Sequence, residues 1–243
     1  MYYFYAQTVK GLKSQKNNDS FFINNYISQT GHYKTQSKKN EFIIGIADGV
    51  GSSMFANDAS KYLFEKLSKY KNQITHALVL NIIKNTHKFL QKTYTYQAST
   101  VFTLVHIQDA LITIYHLGDT RVYKLTEYEN LIRLTNDHSY VQKLIDEGVI
   151  SEDMRYSHPQ KNIILQSLGG EKDIRIDVYK NSLEPGEKLL LTTDGIHDYI
   201  DDKQIKNILL DSHNIEKNVN RLISDAKNAN SKDDLTALVV KCT

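Results

Sequence analysis

The sequence predicts an α+β fold in which sheet packs on sheet beneath covering helices. Two observations lead there. The β-branched and aromatic runs STVFTLVHI (99–107), ALITIYHLG (110–118) and TRVYKLT (120–126) follow one another with only short polar breaks. The helical stretches come in blocks around them, not one after each strand as alternating βαβ units would require.

Taken in order, the apolar run Phe42–Ala47 reads as a buried strand. The polar, basic stretch 28–40 before it reads as flexible. Residues 57–70 place Ala59, Tyr62, Leu63 and Leu67 at helical spacing, with Asn57 or Asp58 available to cap. Residues 75–92 repeat the pattern through Leu78, Ile82, Ile83, Phe89 and Leu90. The three central runs predict an antiparallel meander. Val141, Leu144 and Ile145 mark a helix over 138–147. KLLLTTDG (188–195) is again strand-like, 203–210 and 215–229 read as helices, and DLTALVVKC (234–242) closes with a strand.

With 243 residues, no linker and no repeat, the chain reads as one domain spanning 1–243. Hydrophobic residues make up 40% and the net charge is +2, so nothing favours nucleic acid or a membrane surface as partner. No apolar run approaches the ~20 residues that span a bilayer. The N-terminus lacks a signal-peptide layout. Cys242, the single cysteine, forms no internal disulfide. A cytoplasmic protein fits, with monomer as the default state.

The informative oddity is that apolar runs end on acids. IGIADG ends on Asp48 and LLLTTDG on Asp194; HLGDTR carries Asp119, NSKDDLTALVV carries Asp233 and Asp234, and QKNNDSFFI carries Asp19. Singly, each reads as a turn or loop. Together, on stacked sheets, they predict convergence at one edge, where carboxylates repel unless cations neutralise them. Oxygen donors select Mg²⁺ or Mn²⁺. Zinc is disfavoured, since the nine histidines and one cysteine show no ligand spacing. Gly49 offers an unobstructed carbonyl beside Asp48, and Gly49 and Gly51 read as the means of a tight turn around it.

These residues resemble the metal-dependent type 2C serine/threonine protein phosphatases in their compact bacterial form. GLKSQKNNDSFF, IADGVGSS, ASTVFTLV, HLGDTRVYKL, the stretch 134–170, LLLTTDGIHDYI and SKDDLTALVV resemble the family's motifs in the family's order. The resemblance implies a sandwich of two antiparallel sheets flanked by helices, with the metals at one end and a flap-like segment over about 136–168. It implies two Mn²⁺ or Mg²⁺ ions. Asp48 would bridge them, the Gly49 carbonyl would bind the second, and Asp194 and Asp233 would complete the first. Asp19 would support the site, and Asp119 would hold a third, weaker ion. A metal-bridging hydroxide would then attack the phosphoserine or phosphothreonine ester of a protein substrate, opposing a serine/threonine kinase.

Three positions depart from the family pattern. Ser14 stands where a phosphate-guiding Arg is usual, leaving Lys13 or Lys16 as point-charge substitutes. Asn18 stands for Glu or Gln, and Val50 cannot donate a proton as the His of eukaryotic members can. Arg121 reads as a structural ion pair, and His138 and His158 as structural or substrate-edge residues. His197, next to Asp194-Gly195, is a weak candidate for the site. Two rivals remain. One is a catalytically weak or inactive pseudophosphatase that binds a phosphoprotein. The other, a nuclease, is disfavoured by the near-neutral charge.

Overall fold

A computed structural model describes residues 1–13, 15–51, 53–70 and 74–243; Ser14 lies outside the described residues. Two six-stranded antiparallel sheets stack face to face. With strands numbered along the chain, the first sheet runs β4 (Gly31–Ser37), β1 (Tyr2–Val9), β12 (Leu235–Cys242), β11 (Lys188–Thr192), β8 (Arg121–Leu125), β9 (Leu131–Arg133). The second runs β10 (Asp177–Ser182), β7 (Leu111–Leu117), β6 (Thr100–Gln108), β5 (Glu41–Gly49), β2 (Asp19–Ile23), β3 (Tyr26–Ser28).

Helices α1 (Ala56–Leu67) and α2 (His76–Tyr94) pack Leu63, Phe64, Val79 and Ile83 on the outer face of the second sheet. Helices α4 (Asp194–His197), α5 (Asp202–Asp211) and α6 (Ile215–Asn228) cover the first sheet through Ile196, Ile205, Val219 and Leu222. Between the sheets lie Phe4, Ile44, Ile46, Val105, Leu189, Leu191 and Leu238. Each sheet is therefore buried on both faces, which explains why β5, β6 and β11 read as continuous apolar runs without alternation. α3 (Tyr140–Asp146) and a 3₁₀ turn (Glu152–Ser157) occupy the flap-like segment.

Three expectations need correction. The stretch 28–40 is not a free loop, because Gly31–Ser37 forms edge strand β4 paired with β1. Its polar composition belongs to a strand with one exposed edge, where Lys keeps foreign strands away. The central runs are not one meander. β6 and β7 form a hairpin, but the chain then crosses between the sheets and β8 pairs with β11. Asp119 sits on that crossover. Finally, Phe55 is the N-cap residue of α1 and makes no side-chain cap bond, whereas Asn57 donates its amide to the Asn17 carbonyl at 2.6 Å.

Candidate active site

Strand direction brings the acids together. Asp19 opens β2 and Asp48 lies near the end of β5, and the two are register partners. Asp194 follows β11 by two residues and begins α4, while Asp233 precedes β12, the neighbour of β11. All four therefore lie at one end of the sandwich, and Asp119 joins them from the crossover.

Their charges sense one another. Burial, reinforced by Asp19, Asp194, Asp119 and Asp233, pushes the Asp48 carboxyl well above its ordinary range. Burial and then Asp194, Asp137 and Asp198 do the same to Asp119. Asp194 is pushed up to about 7 by burial, Asp233 and Asp198. Asp19 is raised chiefly by burial; hydroxyl bonds from Thr193 at 2.8 Å and Thr236 at 2.7 Å to its Oδ2 oppose the shift. Its Oδ1 is buried with no hydrogen-bond partner among the described residues.

The backbone is closely fitted here. A Cβ on Gly49 would lie 2.5 Å from the Ala56 carbonyl oxygen, so glycine is needed for close approach and not for the tight turn expected from the sequence. Gly51 has open space around it and likewise lacks a left-handed φ. A Cβ on Gly195 would meet the Asp234 carbonyl oxygen at 2.0 Å, which fixes Asp194 against the β12 entrance.

Lys13 donates from Nζ to Asp233 Oδ2 at 2.8 Å, and Lys16 is exposed in the same loop. Asp234 clamps that loop by accepting the Gly11 and Asn18 amides at 2.7 and 2.8 Å. The sequence marks Asp234 only as a neighbour of Asp233; its clamping role appears once Gly11 is seen across from it.

The donor set suits a hard cation. It is made of carboxylates that repel one another, one with an orphaned buried oxygen, and the lysines beside it are bound, Lys13 to Asp233 and Lys161 to Asp198. Among the described residues, no three His, Cys, Asp or Glu side chains stand close enough to hold a metal as they lie, so binding would draw the carboxylates together.

Beside the acids, Arg121 is fully buried and forks onto Asp137, with Nε 3.0 and 3.1 Å from the two oxygens and Nη2 2.7 Å from Oδ2. This is the ion pair expected of it. Arg155, from the 3₁₀ turn, adds Nη1 at 2.7 Å to the same Oδ2 and also bonds Gln142 and Glu152. Asp137 thus ties the flap-like segment to the β7–β8 crossover that carries Asp119. Lys161 of that segment pairs with Asp198 at 3.3 Å. His197 is buried against the Thr192 hydroxyl, 2.9 Å from Nδ1. His138 accepts the Gly118 amide at Nδ1 and sets Nε2 3.2 Å from Asp177. His158 Nδ1 accepts the Gln160 amide.

This arrangement has known counterparts. The protein phosphatase 2C family profile matches residues 24–238. The chain belongs to the protein phosphatase 2C family, the metal-dependent serine/threonine protein phosphatases. The protein phosphatase PhpP of Streptococcus pneumoniae is 27% identical over 238 residues, covering 93% of this chain and 92% of PhpP. The solved structure of the S. agalactiae serine/threonine phosphatase superposes with a TM-score of 0.84 at 25% identity and covers all of both chains. The catalytic domain of the phosphatase PstP, solved with two manganese ions, shares the fold at a TM-score of 0.75, 20% identity and 99% coverage of each chain. No helix among the described residues is long and apolar enough to cross a membrane.

Proposed function

We propose that this phosphatase hydrolyses phosphoserine and phosphothreonine esters of a protein substrate at the acidic end of the sandwich, with Asp48, the Gly49 carbonyl, Asp194 and Asp233 holding two Mn²⁺ or Mg²⁺ ions. The observation that carries the reading is the convergence of Asp19, Asp48, Asp119, Asp194 and Asp233 at one end of the sandwich, where burial and neighbouring acids raise Asp48, Asp119 and Asp194 and cations would neutralise the cluster. When bound, the ions supply an activated water and neutralise phosphate charge.

The chain's own residues do the rest. Thr193 and Thr236 orient Asp19 through its Oδ2, which leaves Oδ1 without a partner among the described residues and free to support the ions. Asp119, raised by burial and by Asp194, Asp137 and Asp198, would hold a third, weaker ion. Lys13, now paired with Asp233, would meet the phosphate as a point charge. Val50 supplies no proton, so protonation of the leaving alkoxide would fall to water or to another residue. A phosphorylated protein is the substrate this chemistry implies, and the family resemblance implies a phosphatase that opposes a serine/threonine kinase.

The test is hydrolysis of a phosphothreonine peptide with added Mn²⁺ or with EDTA, comparing wild type and Asp194→Asn. The variant should fall by at least roughly 10–100-fold, the cost of disturbing even an outer partner of a metal site. No turnover by folded, metal-supplied wild type would favour the pseudophosphatase.

A further inference from the structure

The turn after β5 opens onto a groove that the acid cluster does not use. Val50 follows Gly49 and donates its amide to the Ser99 carbonyl at 2.9 Å. Two recesses of about 430 and 250 Å³ share Val50, Gly170 and Glu171 as lining. The larger lies within the range of ligand clefts and adds Met54 and Tyr96 to its walls.

The groove is rigid at its floor. The Ser99 and Ser167 hydroxyls bond at 2.7 Å, and Gln91 donates to the Gly170 carbonyl at 2.7 Å. Thr100 and Leu168 exchange both backbone bonds at 3.0 and 2.7 Å. Its wall is strained as well as exposed. Thr95 is the left-handed C-cap that ends α2, and the wall residue Tyr96 after it takes a φ of 63°, a conformation that an aromatic residue rarely adopts. Such strain persists only where the surroundings impose it, and it concentrates at functional positions. Here it presents a Tyr96 that is 50% exposed beside a Met54 that is 75% exposed. In the smaller recess Lys172 and Asp173 offset each other, leaving Glu171, common to both recesses, to set the charge.

We propose that this groove seats the polypeptide flanking the phosphoresidue, with an apolar side chain against Met54 and Tyr96 and a basic one opposite Glu171. The inference rests on the phosphatase reading, because a phosphoryl group at the acids brings its own chain to Val50, one residue from Gly49. Thr100, next to the groove residue Ser99, donates its hydroxyl to the Asp48 carbonyl at 2.7 Å, and this continuity with the acid cluster selects substrate peptide as the occupant. An adaptable thioether and a rigid ring form a wall suited to side chains of varied shape.

Fluorescence anisotropy in Mn²⁺ tests this with peptides carrying a non-hydrolysable phosphonate in place of phosphothreonine. One has Leu and Arg on both sides; the other has Ala there. Wild type should bind the first about fivefold or more tightly, the share of an aromatic anchor. Tyr96→Ala and Glu171→Lys should each erode that preference, and melting curves check that both variants fold. Equal binding of the two peptides by wild type, or a preference that survives both substitutions, overturns the groove. Hydrolysis of p-nitrophenyl phosphate, which has no flanking chain, tests the phosphatase reading separately.

Discussion

Replacing Asp137 by Asn removes the carboxylate that two buried guanidiniums share; Arg155 keeps Glu152, whereas Arg121 loses its carboxylate partner. The side chains of Asp137, Arg121 and Arg155 are only 2–4% exposed. Four hydrogen bonds between 2.7 and 3.1 Å converge on its oxygens. Breaking a buried pair by removing one partner costs about 3–5 kcal/mol, mostly because a charge is left buried alone. Asn keeps one acceptor oxygen, so the lower end applies, about 3 kcal/mol in urea unfolding. That is a large share of a typical stability of roughly 5–15 kcal/mol.

The pH dependence has a defined sign. Burial alone would raise the Asp137 carboxyl, but Arg121 and Arg155 outweigh it and hold it well below its ordinary 3.8. A depressed carboxylate contributes its stability in full above the unfolded value and loses it as pH falls toward the folded one. The gap between wild type and Asp137→Asn should therefore stay level from about pH 8 to 5 and shrink only below about pH 4. A loss under about 1 kcal/mol would refute the reasoning, since the pair would then behave like an exposed one.

Further outcomes follow from the same geometry. In EDTA at neutral pH, Asp48→Asn should raise the melting temperature by relieving repulsion from Asp19, Asp194, Asp119 and Asp233, whereas in Mn²⁺ the order should reverse; calorimetry reads both. Thr236→Val removes a 2.7 Å bond to Asp19 and should cost roughly 1.5–3 kcal/mol in urea unfolding. Gly195→Ala forces a Cβ against the Asp234 carbonyl and should lower both stability and Mn²⁺ affinity, measured by thermal melts and titration, while Gly51→Ala, in open space, should do little.

Much of this was legible in the chain because both faces of each sheet are buried. Continuous apolar runs marked β5, β6 and β11, and the acids at their ends marked the edge where they meet. The central strands were misplaced because hairpin signals report local pairing, whereas Gly118-Asp119-Thr120 carries the chain to the other sheet. β4 was hidden by its polarity, since an edge strand needs few apolar residues. At the site, single acids were visible as breaks in apolar runs. Partnerships distant in sequence were not: Asp234 with Gly11, Arg155 with Asp137, and Thr236 with Asp19 each join segments whose contact no local pattern announces.

In the proposed reading, the acids at the end of the sandwich act together as a cation site. Isothermal titration of EDTA-stripped protein with Mn²⁺ tests this most directly. Uptake of about two ions per chain, abolished for both by Asp48→Asn, is the predicted result for a shared carboxylate. Two ions retained at full affinity in that variant, or none taken up by folded wild type, would contradict it.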